Sequence, residues 1–264
     1  MNTNRSVAFV PHGSPMFALE PGAAGAALAA LPALWPRPRA IVVISPHWET
    51  TVPTVGTASR LETIHDFGGF DPRLFDIQYP AAGCPEAAQQ VVATLRAAGL
   101  PVQTDAARGL DHGAWVPLRH MFPDADVPVV PLSIQHHGGP RHAWQVGRAL
   151  APLASQGLLI VASGNVTHNL RDWQRAVHFG PDAGTLARVR GFADWVEAQM
   201  TGGAVEALLD YRQTQPAGAR VQPRDEHLLP LFTALGAAGA GARPHAFFRG
   251  ISDHVIAMDG YVFQ

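Results

Sequence analysis

Short apolar runs rich in β-branched residues recur along this chain and indicate strands that are buried on both faces. The runs are Ser6–Val10, Ala40–Ser45, Val127–Ile134, Leu158–Ser163 and Pro244–Arg249. Continuous apolar runs of this length are typical of sheets with helices packed on both sides. Two prolines within Val127–Ile134 remove amide donors, so we expect that run to pair less regularly than the others.

Helical periodicity fills most of the intervals between these runs. The predicted helices are Pro85–Ala98, Arg141–Ala154, Pro181–Met200, Ala204–Tyr211 and Asp225–Leu235. In the last of them Asp225 is the expected N-cap and Gly236 is the expected residue after the C-terminus. Alternating strands and helices predict an α/β fold with a central, mostly parallel or mixed sheet flanked by helices. The 264 residues contain no repeat and no linker, so we expect one domain over residues 1–264.

The composition excludes several classes of site. The chain has 13 histidines, one cysteine (Cys84) and no lysine. It therefore has no lysine for a Schiff base or a P-loop, no disulfide within the chain, and no thiolate cluster for zinc or iron–sulfur. A net charge of -2 offers no broad basic surface to nucleic acid or to an anionic membrane. Without a signal-peptide pattern, a long apolar span or a second cysteine, we expect a cytoplasmic protein.

Three histidines lie just beyond predicted strands. His12, His47 and His168 follow the first, second and fourth apolar runs, each among loop-forming glycine, proline, serine or asparagine residues. If those strands run parallel, all three side chains reach the same edge of the sheet, where open α/β proteins bind their ligands. His112, in GLDHGAW, and His227, in RDEHLLPL, have similar surroundings. We therefore predict the active site at the carboxyl ends of the strands.

Histidine is suited to two kinds of chemistry at such a site. Neutral imidazole is the commonest protein ligand of borderline metals, and three protein ligands with open positions are typical of a catalytic metal. Non-haem Fe(II) oxygenases use two histidines and one carboxylate, and further histidines can transfer protons. A single loop histidine is more often exposed or simply hydrogen-bonded, but the joint placement of several favours a metal site.

Eight segments, in this order along nearly the whole chain, resemble one enzyme family. They are VPHGSPM, ISPHWET, IHDFGGFDPRLFDIQYPAAGCPE, GLDHGAWVPL, PLSIQ, SGNVTHNL, EHLLPLF and GISDHVIAMDGYVF. The family is the LigB-type extradiol ring-cleavage dioxygenases, and the match is strongest to the DOPA 4,5-dioxygenase-like branch. The resemblance implies one α/β domain and one metal, which is Fe(II) for ring cleavage with O2 and often zinc as purified. It also implies that the substrate is a small catechol.

The resemblance also implies roles for individual residues. Carried over by motif, His12 and His47 are metal ligands. His227 is the third ligand, in the place where the family at large often has a glutamate; the adjacent Glu226 is the alternative. His168 is either an acid/base or a fourth ligand. His112 is expected to be a second acid/base or a substrate-orienting group.

Several further residues are candidates for the substrate pocket, because aromatic rings and polar groups beside site histidines can hold a flat ring. They are Trp48, Phe67, Trp115, Asn165 and Tyr261. For each of them, ordinary core packing or a turn position is the alternative interpretation. Two other functions use the same histidines: a zinc-dependent hydrolase with a metal-bound water as nucleophile, and a catalytically silent metal-binding protein of the same fold. The sequence leaves the particular catechol and the oligomeric state open.

Overall fold

The computed structural model describes residues 6–180 and 182–264 and contains, within them, ten strands. They are β1 Val7–Pro11, β2 Ala40–Glu49, β3 Thr54–Gly56, β4 Gln103–Asp105, β5 Val129–Ile134, β6 Leu158–Gly164, β7 Pro244–Phe248, β8 Ile251–Ser252, β9 Ile256–Ala257 and β10 Gly260–Phe263. Eight strands form one sheet in the order β4-β3-β5-β2-β6-β1-β10-β7. Each of the five predicted apolar runs supplies a strand of this sheet.

The middle of the sheet is parallel. Strands β5, β2, β6 and β1 pair in parallel, whereas β10 and β7 pair antiparallel on one side and β3 is antiparallel to β5 on the other. The residues of β1, β5 and β6 are buried throughout, as continuous apolar runs require. The predicted single α/β domain with a mostly parallel or mixed sheet is confirmed, and the carboxyl ends of β1, β2 and β6 meet at one edge.

Ten α-helices lie within the described residues. They are α1 Gly22–Ala30, α2 Pro85–Ala97, α3 His112–Met121, α4 Gly139–Ala154, α5 Leu170–Phe179, α6 Ala183–Thr201, α7 Val205–Leu209, α8 Tyr211–Thr214, α9 Pro216–Val221 and α10 Leu229–Ala238. The predicted helix Pro181–Met200 corresponds to α6, and its first residue lies outside the described residues. The predicted helix Ala204–Tyr211 is instead divided into α7 and α8 at Asp210. None of the described helices has the length and apolar character needed to cross a membrane.

The predicted ends of the last helix are wrong, and tertiary contacts explain why. Asp225 does not cap the helix, because its carboxylate pairs with His136 at 3.0 Å and with Arg212 at 3.5 Å. Gly236 does not end the helix either. It lies inside α10, where a Cβ atom would be 2.2 Å from the carbonyl oxygen of Trp144 in α4. The glycine therefore permits the close packing of two helices.

Candidate metal centre and active site

Three of the five singled-out histidines form a cluster at the carboxyl edge of the sheet. His12 follows β1, His47 lies near the C-terminal end of β2, and His227 lies in the turn before α10. One ring nitrogen of each histidine lies within 4.8 Å of a ring nitrogen of each of the other two. The Nε2 atoms of His12 and His47 are 3.3 Å apart. His12 and His227 are buried, and the side chain of His47 is 22% exposed, so His47 is the member of the cluster that is open to solvent.

A serine at the end of β6 fixes the tautomer of His12. The Oγ atom of Ser163 donates its only proton to the carbonyl oxygen of Gly113. Therefore Oγ must accept in its 3.0 Å contact with Nδ1 of His12, and the Nδ1 atom must carry the hydrogen. The Nε2 atom of His12 therefore carries the lone pair, and it lies 3.3 Å from Nε2 of His47.

Acidic residues contact the Nδ1 atoms of the other two histidines. Nδ1 of His227 lies 3.0 Å from Oε1 of Glu226, the neighbouring residue. Nδ1 of His47 lies 3.6 Å from Oδ2 of Asp66. Glu226 thus supports the ring of His227 on the side away from Nε2. Nδ1 is hydrogen-bonded in His12 and in His227, and in His47 it lies 3.6 Å from a carboxylate, which leaves Nε2 of each for a metal.

His112 is the first residue of α3, a helix capped by Asp111, whose Oδ1 accepts from the backbone N–H of Ala114. Oδ1 of Asp66 accepts from both the backbone N–H and Nδ1 of His112, each at 2.9 Å. The rings of His112 and His47 are 4.0 Å apart between centroids. His112 therefore stands beside the three-histidine cluster without being one of its members.

Burial and mutual repulsion keep the cluster histidines uncharged. Burial, followed by the neighbouring imidazoles, lowers the pKa of His12 and of His227 well below 6.5. The same two causes lower the pKa of His47 to about 3 and that of His168 to about 4. Burial alone would raise the pKa of Asp66, but its hydrogen bonds to His112 outweigh this and bring it to about 2. At neutral pH these four imidazoles are neutral, which is the form that binds metals and accepts protons.

His168 stacks on one member of the cluster. Its ring lies on that of His227, with centroids 3.6 Å apart and planes tilted by 13°. The backbone N–H of His168 donates to the carbonyl oxygen of Val221, which holds the loop after β6 in place. The structure thus brings all five histidines singled out in the sequence to one place.

Two of the predicted pocket residues contact the histidines, and a third lies next to them in sequence. Nδ2 of Asn165 is 3.4 Å from Nε2 of His12. The ring of Phe67 is half-buried, with its centroid 5.6 Å from that of His112. Trp48 follows His47 and is buried, and the guanidinium carbon of Arg108 lies 5.0 Å from the centre of its ring.

The other two predicted pocket residues are fully buried, and the ring centroid of Trp115 lies 6.5 Å from that of Phe67. The indole N–H of Trp115 donates to the carbonyl oxygen of Ile64 at 3.1 Å. Tyr261 lies on β10 opposite Phe9, and the ionisable groups that act on its hydroxyl include Asp259 and Glu197. Tyr261 therefore has the surroundings of a core residue, whereas Trp115 packs against a predicted pocket residue.

Sequence reasoning missed three residues that hold the site together. Asp66 and Ser163 orient histidines, as described above. Gly113 allows α3 to approach β2, because a Cβ atom there would lie 2.5 Å from Oγ of Ser45. Asp66 and Gly113 each adjoin a histidine within the quoted segments IHDFGGF and GLDHGAW, and that adjacency was the one available signal.

The donor set fits a divalent metal. Three neutral imidazoles, each with a serine or carboxylate oxygen facing its Nδ1 atom, suit borderline cations such as Zn(II) and Fe(II). Their burial excludes competing water, and the partial exposure of His47 leaves a route for small molecules. The neighbouring His112 and His168 can serve proton transfer. The arrangement can therefore hold a metal and move protons beside it.

Comparisons with known proteins agree with this arrangement. Residues 8–258 match the family described as the catalytic LigB subunit of aromatic ring-opening dioxygenase. The chain is 41% identical to a 4,5-DOPA dioxygenase extradiol of Escherichia coli (strain K12), over 89% of this chain and 86% of that protein. It is 36% identical to the 4,5-DOPA dioxygenase extradiol of Beta vulgaris, over 97% and 95% of the two chains.

The fold has a counterpart of known structure. The crystal structure of an uncharacterized protein from Escherichia coli K12 superposes with a TM-score of 0.79 and 35% sequence identity, and the match covers 96% of this chain and 97% of that one. The family match spans all the elements that carry the five histidines. The chain therefore belongs to the LigB family of extradiol ring-opening dioxygenases, in its DOPA dioxygenase-like branch.

Proposed function

We propose that this protein is a metal-dependent extradiol dioxygenase that opens the ring of a catechol with O2. The observation that carries the proposal is the convergence of His12, His47 and His227, with ligand atoms within 4.8 Å of one another and with partners at their Nδ1 atoms. Family membership supports the same chemistry. The names of the curated relatives make DOPA the first catechol to test.

His12, His47 and His227 would hold the metal through Nε2. Fe(II) bound there would supply the centre at which a catechol and O2 are activated, whereas zinc fits the same ligands but is redox-silent. Three histidines depart from the more common set of two histidines and one carboxylate. Glu226 supports His227 through its Nδ1 atom in this proposal and is not itself a ligand.

His168 is the base that takes a proton from a catechol hydroxyl in this proposal. An imidazole binds a metal in the plane of its own ring. The rings of His168 and His227 are stacked, nearly parallel and 3.6 Å apart between centroids, so His168 would stand beside the three residues that would hold the metal. This geometry argues against a fourth ligand. With a pKa of about 4, His168 is neutral and free to accept a proton.

His112, whose ring centroid lies 4.0 Å from that of His47, holds or donates a proton beside the cluster. Asp66 accepts from its Nδ1 atom, so its Nε2 atom faces the site as an acceptor or, once protonated, as a donor. Phe67 and Asn165 are the substrate contacts that the geometry favours, the first as a ring partner and the second as a polar group beside His12. Trp48, Trp115 and Tyr261 would act by packing around this pocket.

The proposed partners are a small catechol and O2, and the proposed compartment is the cytoplasm. The one cysteine of the chain, Cys84, is free and half-buried, which suits a reducing environment. Nothing in the charge of the chain, -2 overall, favours nucleic acid or an anionic membrane as a partner.

Oxygen uptake tests the proposal directly. The metal-free enzyme is loaded anaerobically with Fe(II), mixed with DOPA and other catechols, and followed by an oxygen electrode and by absorbance of the ring-opened product. Resorcinol, which lacks adjacent hydroxyls, is the matched substrate control. We expect uptake with at least one catechol in the Fe(II) form and none in the Zn(II) form.

The alternatives give different results in the same experiment. Metal binding without oxygen uptake, together with ester or amide hydrolysis by the Zn(II) form, would identify a zinc hydrolase. Stoichiometric metal with neither oxygen uptake nor hydrolysis would identify a catalytically silent metal-binding protein. Either result would overturn the dioxygenase proposal.

A further inference from the structure

Asp66 lies on the segment between β3 and the 3-10 helix Pro72–Asp76, and this segment is tied to the start of α3. The backbone N–H of Ile64 donates to Leu110 at 2.7 Å, and that of Leu110 donates to Glu62 at 2.8 Å. The Trp115 indole N–H donates to Ile64 at 3.1 Å. These bonds do not involve the Asp66 side chain, so the segment is positioned independently of that carboxylate.

The Asp66 carboxylate contacts two histidines from different elements. Oδ1 accepts two hydrogen bonds from His112 on α3, and Oδ2 faces Nδ1 of His47 on β2 at 3.6 Å. The Asp66 side chain is 24% exposed, so burial of its charge is incomplete. One carboxylate thus contacts two neighbouring imidazole rings, whose centroids are 4.0 Å apart.

A carboxylate that only accepts requires a hydrogen on the nitrogen it faces. Asp66 therefore requires the Nδ1–H tautomer in His112 through a hydrogen bond, and at 3.6 Å its negative charge favours the same tautomer in His47, so the Nε2 lone pairs of both are left free. For His47 the free lone pair is the proposed metal donor. For His112 it is the atom that would meet the substrate.

We propose that Asp66 is a positioning residue that orients His47 for metal binding and His112 for proton transfer at the same time. This inference rests on the proposed function, since it takes the roles of both histidines from it. It predicts two separable effects of one substitution, one on metal affinity and one on turnover. A carboxylate with a packing role alone would produce neither effect selectively.

Asp66→Asn is the test, because asparagine keeps the size and one acceptor oxygen while the other carboxylate oxygen becomes an NH2 donor. Competition with a chromophoric chelator measures the Kd of the metal-free protein for Zn(II) and, anaerobically, for Fe(II). We expect metal affinity to fall by about 10- to 100-fold, the range typical of lost partners behind metal ligands. At saturating Fe(II), we expect kcat to fall by about 100-fold with KM for the catechol nearly unchanged.

Asp71→Asn is the matched control. Asp71 is the next carboxylate on the same segment, and it caps the 3-10 helix and pairs with Arg73. We expect wild-type metal affinity and kcat from this variant. A loss equal to that of Asp66→Asn would assign both effects to the segment as a whole and would overturn the inference.

Two further variants separate the possible outcomes. In a His112→Ala background, Asp66→Asn should still weaken metal binding through His47 but should lower kcat no further. Asp66→Glu keeps the carboxylate and should recover part of the lost metal affinity. Equal impairment in the Asn and Glu variants, or wild-type metal affinity in Asp66→Asn, would overturn the positioning role. Failure of the wild-type protein to bind any metal would instead overturn the proposed function.

Discussion

A Cβ atom added to Gly113 would lie 2.7 Å from Cδ2 of His47. Real Cβ atoms do not approach other atoms this closely, so the glycine is what allows the first turn of α3 to lie against the His47 ring. Ser45 is in the same contact, 2.5 Å from that added atom, and its hydroxyl donates to Asp111, the cap of α3. The backbone at Gly113 and the direction of the His47 imidazole are thus coupled sterically.

Gly113→Ala should therefore displace His47. We expect metal affinity to fall at least tenfold, and the free energy of unfolding to fall by about 1–3 kcal/mol, as for other overpacked sites. Chelator competition and urea unfolding measure the two effects. Gly191→Ala in α6 is the control, since nothing lies within 4 Å of its added Cβ, and it should stabilise the helix by about 0.5–1 kcal/mol. Unchanged metal affinity in Gly113→Ala would contradict the steric argument.

Replacing His168 should separate metal binding from turnover. Because its ring is stacked on His227 and is not directed at the same point, we expect His168→Gln to retain stoichiometric metal. Loss of the base should lower kcat by about 100- to 10,000-fold. Elemental analysis and oxygen uptake measure these two quantities, with His12→Ala as the variant that should lose the metal. Metal loss in His168→Gln would show that this histidine is a ligand.

The metal-free protein should become less stable as the pH falls from 6.5 towards 4. The unfolded chain protonates its histidines near 6.5, whereas burial and neighbouring imidazoles hold the pKa of His47 at about 3 and that of His168 at about 4. In this window the unfolded state binds more protons, so each of these histidines lowers the free energy of unfolding by about 1.4 kcal/mol per pH unit. Urea unfolding at several pH values measures the slope.

His168→Gln supplies the control for this pH dependence. It should reduce the slope of unfolding free energy against pH between pH 6.5 and 4, because one histidine with a lowered pKa is removed. A slope that does not differ between wild type and His168→Gln would contradict the assignment of a lowered pKa to His168.

The general position of the site could be predicted from the sequence because it follows from the strands. The runs Ser6–Val10, Ala40–Ser45 and Leu158–Ser163 are apolar enough to be central strands, and parallel pairing then delivers His12 and His47 to one edge. These are local patterns combined with one rule of topology, and the structure confirms the fold they predict.

The supporting contacts could not be predicted because they are tertiary. Asp66 is 46 residues from His112 along the chain and lies in a segment with no periodic pattern. Asp225 and Gly236 resemble helix-end signals locally, but an ion pair and a close helix contact determine what they do. Side-chain partners that are brought together only by folding leave no periodic signal in the sequence.

Tyr261→Phe tests whether this buried tyrosine contacts the substrate. Within the described residues its hydroxyl has no hydrogen-bond partner, and burial, followed by nearby Asp259, raises its pKa. Removing a buried unpaired hydroxyl should leave the free energy of unfolding unchanged or raise it by about 1 kcal/mol. Tyr79→Phe is the matched control, because the Tyr79 hydroxyl donates to Phe122 at 3.1 Å and its loss should lower stability by about 1 kcal/mol.

Since the contacts of Tyr261 are those of the core, KM for the catechol should stay within about twofold of wild type, well below the tenfold change that 1.4 kcal/mol of binding energy would give. A larger rise in KM, with metal content unchanged, would assign Tyr261 to the substrate pocket.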